Sequence, residues 1–457
     1  MIPAPRFLIA AAHKSSGKTV VSTGLAAALT ARRLKVATFK KGPDYIDPMW
    51  LGAATGRPCY NLDFNTMDRD TFAPFLASRA GGADVSLIEA NKGLFDGVSL
   101  DGSDSNAALA RLLGLPVILV IDTNGMTRGI APLLLGYQAF DPDVNIVGVI
   151  LNKVGGPRHE AKLRAAVETY TDVKVVGAVH RNSALEIGER HLGLTTPAET
   201  GELGRRIDEI GRIVGGSVDL DLLIDLANAA PALSDPPPAA PDPAPDVTIA
   251  IARDRAFGFY YPDDLEAFAA AGARLVPFDT LRDSALPACD GVLIGGGFPE
   301  MFVDALAANA ALRADIRAKI EGGLPGYAEC GGLMYLCRSI RHGEAAGEMV
   351  GVVPADAVMH ARPQGRGYTR FRNTPAHPWP NGTDAQAAHE FHYARLENTD
   401  APLTFARDIL RGHGVDGDHD GIIVHNLLAG FCHLRATGPA PWVARFVEFV
   451  RARKISQ

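Results

Sequence analysis

From Arg6 to Gly177, short apolar runs alternate with longer amphipathic stretches. Arg6–Ala11, Val36–Lys40, Val85–Glu89, Val117–Asp122, Ile146–Leu151 and Val173–Gly177 read as strands buried on both faces. Stretches with helical spacing lie between several of them: Lys18–Arg32, Asn106–Leu113 and His159–Tyr170. Buried strands alternating with helices predict a mostly parallel, doubly wound α/β sheet. The pattern then restarts with a run at Val247–Arg253, a helix from Asp263, and runs at Arg274–Pro277 and Gly291–Ile294. A helix from Asn309 and a run at Gly323–Ala328 follow, so a second α/β unit is expected.

Between the two patterns lies a proline- and alanine-rich stretch from Pro231 to Asp246. Proline fixes φ and removes a backbone donor, so the stretch suits neither a helix interior nor a central strand. It reads as a semi-rigid linker over 231–246 between domains at 1–230 and 247–457. A chain of 457 residues agrees with more than one domain.

Bulk composition narrows the partners more than the chemistry. With 47% hydrophobic and 21% charged residues and a net charge of -7, nothing calls for nucleic acid as partner. The 5 cysteines include no close CxxC pair, which argues against a disulfide framework or a structural zinc site. The apolar run Phe7–Ala12 is shorter than a signal peptide's core, and no run approaches the roughly 20 apolar residues of a membrane span. A cytoplasmic protein that does not enter the membrane is expected. Homo-oligomerisation is left open.

The first candidate chemistry follows Arg6–Ala11 directly. Ala12-His-Lys-Ser-Ser-Gly-Lys-Thr19 is a P-loop with alanine in place of the first glycine, set between a strand and a helix. Backbone N–H groups there point at phosphate oxygens, and the helix N-terminus favours negative charge. Gly17, Lys18 and Thr19 are the expected ATP ligands, with Lys18 on the β/γ-phosphates and the Thr19 hydroxyl on Mg²⁺. Magnesium needs further hard oxygens. Glu89 ends a strand, Asp96 follows in Gly93–Gly97, and Asp44 and Asp47 lie in 40–47. Loops after the carboxyl ends of sheet strands converge, which favours Asp47, Glu89 and Asp96 over solvated turn acids. Asn152, after the run Ile146–Leu151, is a candidate for reading adenine or an ordinary turn asparagine.

The second candidate lies at Glu329-Cys330-Gly331-Gly332, where a run turns into a helix-like stretch, Leu333–Ser339. A helix N-terminus lowers a thiol pKa, and small neighbours let a substrate approach. Gly296 and Gly297, with the amide of Gly331, are candidates for an oxyanion site. In the strand-like stretch Gly430–Leu434, His433 is the candidate base for Cys330. His389-Glu-Phe-His392 is one residue short of the zinc spacing HExxH, so a structural or substrate-contacting role is expected there. Cys289, Cys337 and Cys432 read as packing.

Taken together, these stretches resemble the cobyrinic acid a,c-diamide synthase family. The matching segments are the P-loop, FKKGPDYIDP (39–48), IEANKGLFDG (88–97), GVILNKV (148–154), RHLGL (190–194), GGGFPE (295–300), YAECGGLMYL (327–336), HEFHY (389–393) and CHL (432–434). The resemblance covers essentially the whole chain. It implies a dethiobiotin-synthetase-like ATP domain joined to a class I glutamine amidotransferase-like domain. It also implies a Cys330–His433 dyad, because Arg435 stands where most class I amidotransferases carry the triad carboxylate. Asp47, Glu89 and Asp96 match acids around ATP, metal and the reacting carboxylate, and Tyr45 falls in a substrate-contacting stretch.

The implied reaction is ATP- and glutamine-dependent amidation of tetrapyrrole carboxylates through an acyl phosphate, with ATP and Mg²⁺ as cofactors. Glutamine and a polycarboxylate tetrapyrrole are the expected partners. Lys41 replaces the family's usual valine, and Ala90-Asn-Lys92 replaces Gly-Val-Met. Lys40, Lys41 and Lys92 are candidates for holding spectator carboxylates, or are solvated surface charges. AAHKSSGKT, KKGPDYIDPMW and NKGLFDG also resemble a branch associated with dissimilatory sulfite reductase, which implies sirohaem or a sirohydrochlorin as acceptor. A third reading is a non-catalytic P-loop switch carrying a degenerate amidotransferase module.

Overall fold

The structure is a computed structural model that describes residues 5–190, 193–194, 202–234, 236, 241–380, 385–437 and 441–454. The chain divides into two compact units, Met1–Pro238 and Ala239–Gln457. Of the segments singled out in the sequence, His191 and Leu192 and linker residues 235 and 237–240 lie outside the described residues. Pro231 and Leu233 pack on the first unit: the Pro231 carbonyl accepts from Arg6, and Leu233 is buried in its core.

In the first unit, β1 (Arg6–Ala11), β2 (Val36–Lys41), β3 (Cys59–Leu62), β4 (Val85–Glu89), β5 (Val117–Asp122), β6 (Ile146–Val154) and β7 (Lys174–His180) form one sheet. Their order is β3–β2–β4–β1–β5–β6–β7, with every neighbour parallel. Every residue of β1, β2 and β4 is buried, as strands covered on both faces require. Among the described residues eight α-helices accompany the sheet: α1 (Lys18–Ala31), α2 (Ile46–Thr55), α3 (Phe72–Arg79), α4 (Asn106–Leu113), α5 (Ile130–Phe140), α6 (Pro157–Tyr170), α7 (Leu203–Gly215) and α8 (Leu220–Ala227). A two-stranded antiparallel ribbon is formed by β8 (Glu189–Arg190) and β9 (Gly193–Leu194).

Small residues bring α7 close against α1. A Cβ on Gly24 would stand 2.5 Å from Val214, and one on Gly211 would stand 2.8 Å from the Ala27 methyl. This packing seats the helix that begins at the phosphate loop.

The second unit is built on nine strands: β10 (Val247–Ala252), β12 (Ala273–Phe278), β13 (Gly291–Ile294), β15 (Gly326–Glu329), β19 (Gly365–Asn373), β20 (Gln386–His392), β22 (Phe405–Arg411), β23 (His419–Val424) and β24 (Leu427–Gly430). Their order is β12–β10–β13–β15–β24–β23–β22–β19–β20. Pairing is parallel from β12 to β24 and antiparallel from β24 to β20. Two smaller sheets stand beside it. One pairs β11 (Phe257–Phe259) with β14 (Gly296–Gly297), and the other orders β17 (Ala345–Glu348), β16 (Cys337–His342), β18 (Val353–Met359) and β21 (Ala394–Glu397). The helices are α9 (Pro262–Ala270), α10 (Val303–Ala308), α11 (Ala310–Glu321), α12 (Gly331–Leu336) and α13 (Trp442–Arg453).

Three sequence expectations change. The helix-like stretch Leu333–Ser339 is the short α12 followed by β16, which starts at Cys337 and pairs with both β17 and β18. The run read from Gly323 begins as a strand at Gly326, because Gly323 takes φ 96° in the turn leaving α11. The stretch Gly430–Leu434 is a strand only to Gly430, beyond which His433 forms an isolated bridge with His389.

Candidate functional site

In the first unit, β1 delivers the chain to the phosphate loop, and the loop is braced from several sides. Ser15 and Gly17 take positive φ, 65° and 84°, which turns the backbone before α1 begins at Lys18. Tyr137 donates to the Ala12 carbonyl at 2.6 Å, and Ser16 Oγ donates to the His13 carbonyl at 2.8 Å. Asn152 Nδ2 donates to the Ser16 carbonyl at 2.8 Å, so the donor expected to read adenine holds the loop itself. From the β4 side, Leu94 N donates to the Ala11 carbonyl, and Asp96 Oδ2 accepts from Gly93 N at 2.9 Å.

Of the three acids expected around the phosphates and metal, Asp47 and Glu89 lie together about the Lys40 ammonium. The Thr19 hydroxyl donates to Glu89 Oε1 at 3.1 Å. Asp44 Oδ1 accepts from the amides of Ile46 and Asp47, which starts α2 and turns Asp47 towards Glu89. Tyr45 is buried at the head of α2. Lys40 is drawn into this group, with Nζ 2.5 Å from Asp47 Oδ2 and 2.7 Å from Glu89 Oε1. Lys40 is therefore not the solvated surface charge of one reading, and its ammonium is engaged by the protein's own acids rather than offered to a spectator carboxylate of the other. A buried ammonium requires partners, and two carboxylates supply them.

Lys41 is likewise not a solvated surface charge. It is buried, and its Nζ donates to the Asp104 carbonyl at 2.7 Å. Of the three lysines, Lys92 alone is exposed; its carbonyl accepts from Lys18 Nζ at 2.6 Å, and Asp96 beside it is also exposed.

Burial sets the charge states here. Burial, and then the neighbouring Lys40, lower the Lys18 ammonium to about 8. Burial also works against the Lys40 charge, but Asp47 and Glu89 overcome it and hold Lys40 firmly protonated. Burial raises Glu89 above its ordinary value; it opposes the Asp47 charge as well, but there Lys40 outweighs it and holds Asp47 below its ordinary value. Burial and the adjacent Asp47 raise Asp44.

Glu89 Oε2 is buried with no hydrogen-bond partner. An orphaned carboxylate oxygen beside Asp47 and the Thr19 hydroxyl fits a hard cation. Among the described residues no group of three or more His, Cys, Asp or Glu could hold a metal alone. A cation here would therefore draw its other ligands from phosphate and water, as magnesium commonly does.

The second unit holds the thiol. β15 runs into Cys330, whose φ of 49° and ψ of −103° make a sharp turn before α12. Such a conformation is costly for a residue with a side chain and marks a constrained site. Cys330 N donates to the Gly430 carbonyl at 2.7 Å, which ties the turn to β24. Close backbone approach explains the surrounding glycines. A Cβ on Gly332 would stand 2.1 Å from the Ile294 carbonyl, and one on Gly331 would stand 3.0 Å from Gly297 N. The glycine loop at Gly296 and Gly297 therefore lies directly against the thiol's turn.

His433 is buried beside the Cys330 thiol, close enough for the two groups to interact. Its Nδ1 lies 3.3 Å from Glu329 Oε2. Burial opposes a charge on this ring, but the Cys330 and Glu329 interactions outweigh it and raise the imidazole to about 10. His389 stacks on His433 with ring centroids 4.9 Å apart. Burial lowers His389, with the His433 and Arg435 charges adding to it, so it stays neutral. Arg435 turns to Asp263, with Nη2 3.1 Å from Oδ2, inside the fold.

Glu329, immediately before the nucleophile, carries no expected role in the sequence. Its place at the end of a strand in the same motif was the available signal. For His389 the expectation is a structural or substrate-contacting role, and the ring stack on His433 is what the structure adds.

Comparison with known proteins agrees with both units. Residues 7–194 match the family described as the CobQ/CobB/MinD/ParA nucleotide binding domain, and residues 248–440 match the CobB/CobQ-like glutamine amidotransferase domain. Across its length the chain is 45% identical to cobyrinate a,c-diamide synthase of Magnetococcus marinus, covering 98% of each chain. It is 38% identical to the enzyme of that name from Methanosarcina acetivorans, covering 97% of this chain and 95% of that one. The Archaeoglobus fulgidus relative of the same name is also 38% identical, over 98% of both.

A nucleotide-binding P-loop unit followed by a cysteine-bearing unit defines a glutamine-dependent amidating ligase. More particularly, the chain belongs to the cobyrinate a,c-diamide synthase family. Among the described residues no helix is long and apolar enough to cross a membrane.

Proposed function

We propose that this protein amidates side-chain carboxylates of cobyrinate, using ATP as activator and glutamine as nitrogen donor. The observation that carries this reading is 45% identity over 98% of both chains to a relative named for that reaction, with both sites assembled. In the first unit, Lys18 and the loop amides hold the ATP phosphates while a substrate carboxylate attacks the γ-phosphorus and ADP leaves. Thr19, Asp47 and Glu89 would hold a magnesium ion, which neutralises phosphate charge when bound. Asp96 and Lys92, exposed beside the loop, face the acceptor, while Lys40 and Asp44 keep the acid cluster in place.

In the second unit the Cys330 thiol gives its proton to His433, and Sγ attacks the glutamine amide. The Gly296–Gly297 loop and the amide of Gly331 steady the oxyanion. His433 then protonates departing ammonia, and water hydrolyses the thioester to glutamate. The acyl phosphate takes up that ammonia, forming the amide and releasing phosphate.

The test is incubation with ATP, magnesium and glutamine against cobyrinate, sirohaem and sirohydrochlorin, with amidations read by mass spectrometry. Amidated cobyrinate is expected, and transfer of a heavy-oxygen label from its carboxylate to phosphate would report the acyl phosphate. Amidation of a sirohaem-type acid alone would overturn the substrate, and no amide from any acid would overturn the reaction. Cys330→Ala should lose glutamine-dependent product and keep product formed from free ammonia.

A further inference from the structure

In the second unit, Arg435 occupies the sequence position where an amidotransferase triad would place its carboxylate. Arg435 is engaged elsewhere, by Asp263, with its guanidinium over the Tyr261 ring at 5.0 Å. A lone imidazole in a buried site would have two tautomers and no fixed orientation. The geometry nevertheless supplies a carboxylate from another direction. Glu329, immediately before the nucleophile, is buried with Oε2 3.3 Å from His433 Nδ1.

Glu329 is itself held rigidly. Its Oε1 accepts from the Tyr327 hydroxyl at 2.7 Å and from Leu434 N at 2.9 Å. The second of these bonds locks the carboxylate to the residue next to His433, so acid and base are registered through one backbone amide. His433 is pinned in turn by its paired bonds to His389, His433 N to the His389 carbonyl at 2.8 Å and His389 N to the His433 carbonyl at 3.3 Å.

We propose that Glu329 is the positioning carboxylate of this thiol site, completing a Cys330–His433–Glu329 arrangement in which the acid precedes the nucleophile in sequence. This rests on the reading that Cys330 and His433 hydrolyse glutamine. With Nδ1 the ring nitrogen that lies 3.3 Å from Glu329 Oε2, Nε2 is the one left for the thiol proton. The carboxylate then stabilises the imidazolium that forms, without itself accepting a proton. Other titratable groups facing His433 work in the opposite sense or are already neutralised. His389 remains neutral against its ring, and the Arg435 charge is paired with Asp263.

Glu329→Gln separates this role from a structural one. The amide oxygen can still accept from Tyr327 and Leu434, while the NH₂ now faces Nδ1 and favours the wrong tautomer. Glutaminase kcat should fall roughly a hundredfold or more, with KM for glutamine within about threefold. The pH at which Cys330 becomes alkylated by iodoacetamide should rise, because a less stabilised imidazolium stabilises the thiolate less. Ammonia-dependent amidation should stay at the wild-type rate. Glu329→Asp, which keeps the charge, should recover part of kcat and of the alkylation onset.

Wild-type kcat in Glu329→Gln, or loss with an unmoved alkylation onset and no recovery in Glu329→Asp, would overturn the inference. Cys330→Ala run in parallel tells the two failures apart. If that variant still hydrolyses glutamine, the nucleophile is misassigned and the ground for the inference goes with it.

Discussion

The Lys40 ammonium lies 2.7 Å from Glu89 Oε1, with side-chain exposures of only 3% and 0%. Asp47 closes the group from the other side, 2.5 Å from the same nitrogen. Removing one member of a buried ionic group leaves the others uncompensated, which typically costs about 3–5 kcal/mol. Lys40→Met should therefore lose that much stability in urea unfolding of the nucleotide-free protein. Magnesium with ATP should restore part of it, because a cation at Thr19, Asp47 and Glu89 replaces the missing charge. A loss below about 1 kcal/mol would show that one of the acids simply takes up a proton.

Lys18 makes nucleotide affinity depend on pH. Its ammonium is lowered to about 8 by burial and by Lys40. The group is lowered from its ordinary value, so as pH rises through about 8 the nucleotide-free protein loses the charge that meets the phosphates. Below about pH 8 the ATP Kd should be flat, and above it Kd should rise about tenfold per pH unit. Calorimetric titration with MgATP across that range reads the effect. Lys18→Arg keeps its charge throughout and should bind more weakly but with no break near pH 8.

The parallel sheet of the first unit was legible because its strands are apolar on both faces and carry their own boundaries. β3 escaped notice, since Cys59–Leu62 is short and contains Asn61. From Cys337 to Val424 the pattern predicted almost nothing. Strands there such as Gly365–Asn373 alternate buried and exposed positions around arginines, and their partners are distant in sequence. Among site residues, those on strand ends were readable from position alone: Glu89, Cys330 and the P-loop. The fate of Lys40 was not, because proximity to Asp47 and Glu89 depends on β2 and β4 being neighbours. Glu329 was hidden for a similar reason. Its partner His433 is distant in sequence and comes beside it only through the pairing of β15 with β24.

The turn at Cys330 stores backbone strain that the thiol's role requires. With φ at 49° and ψ at −103°, any Cβ is disfavoured, and residues held this way cost roughly 1–3 kcal/mol. Cys330→Ala and Cys330→Gly both remove the thiol, so their difference isolates the backbone term. Cys330→Gly should be the more stable by about 1 kcal/mol in denaturant unfolding, and both should be inactive with glutamine. Equal stability would mean that the turn relaxes when the side chain is shortened.

Arg435 gives the sharpest case of a residue whose sequence position misleads. Two residues past His433, it points away from the thiol and forms a buried pair with Asp263, Nη2 to Oδ2 3.1 Å. Asp263 lies in the first turn of α9, next to Asp264, which accepts from Trp442 Nε1 at 3.0 Å. The pair thus fastens α9 to the segment that leads into α13. Arg435→Met should destabilise the protein by about 3–5 kcal/mol, since Asp263 stays buried without its counter-charge. Asp263→Asn alone should cost a comparable amount by stranding the guanidinium. The double variant should cost clearly less than the sum, because neither charge is then left unpaired. A double-mutant cycle by urea unfolding measures this, and strict additivity would show that the two side chains act independently.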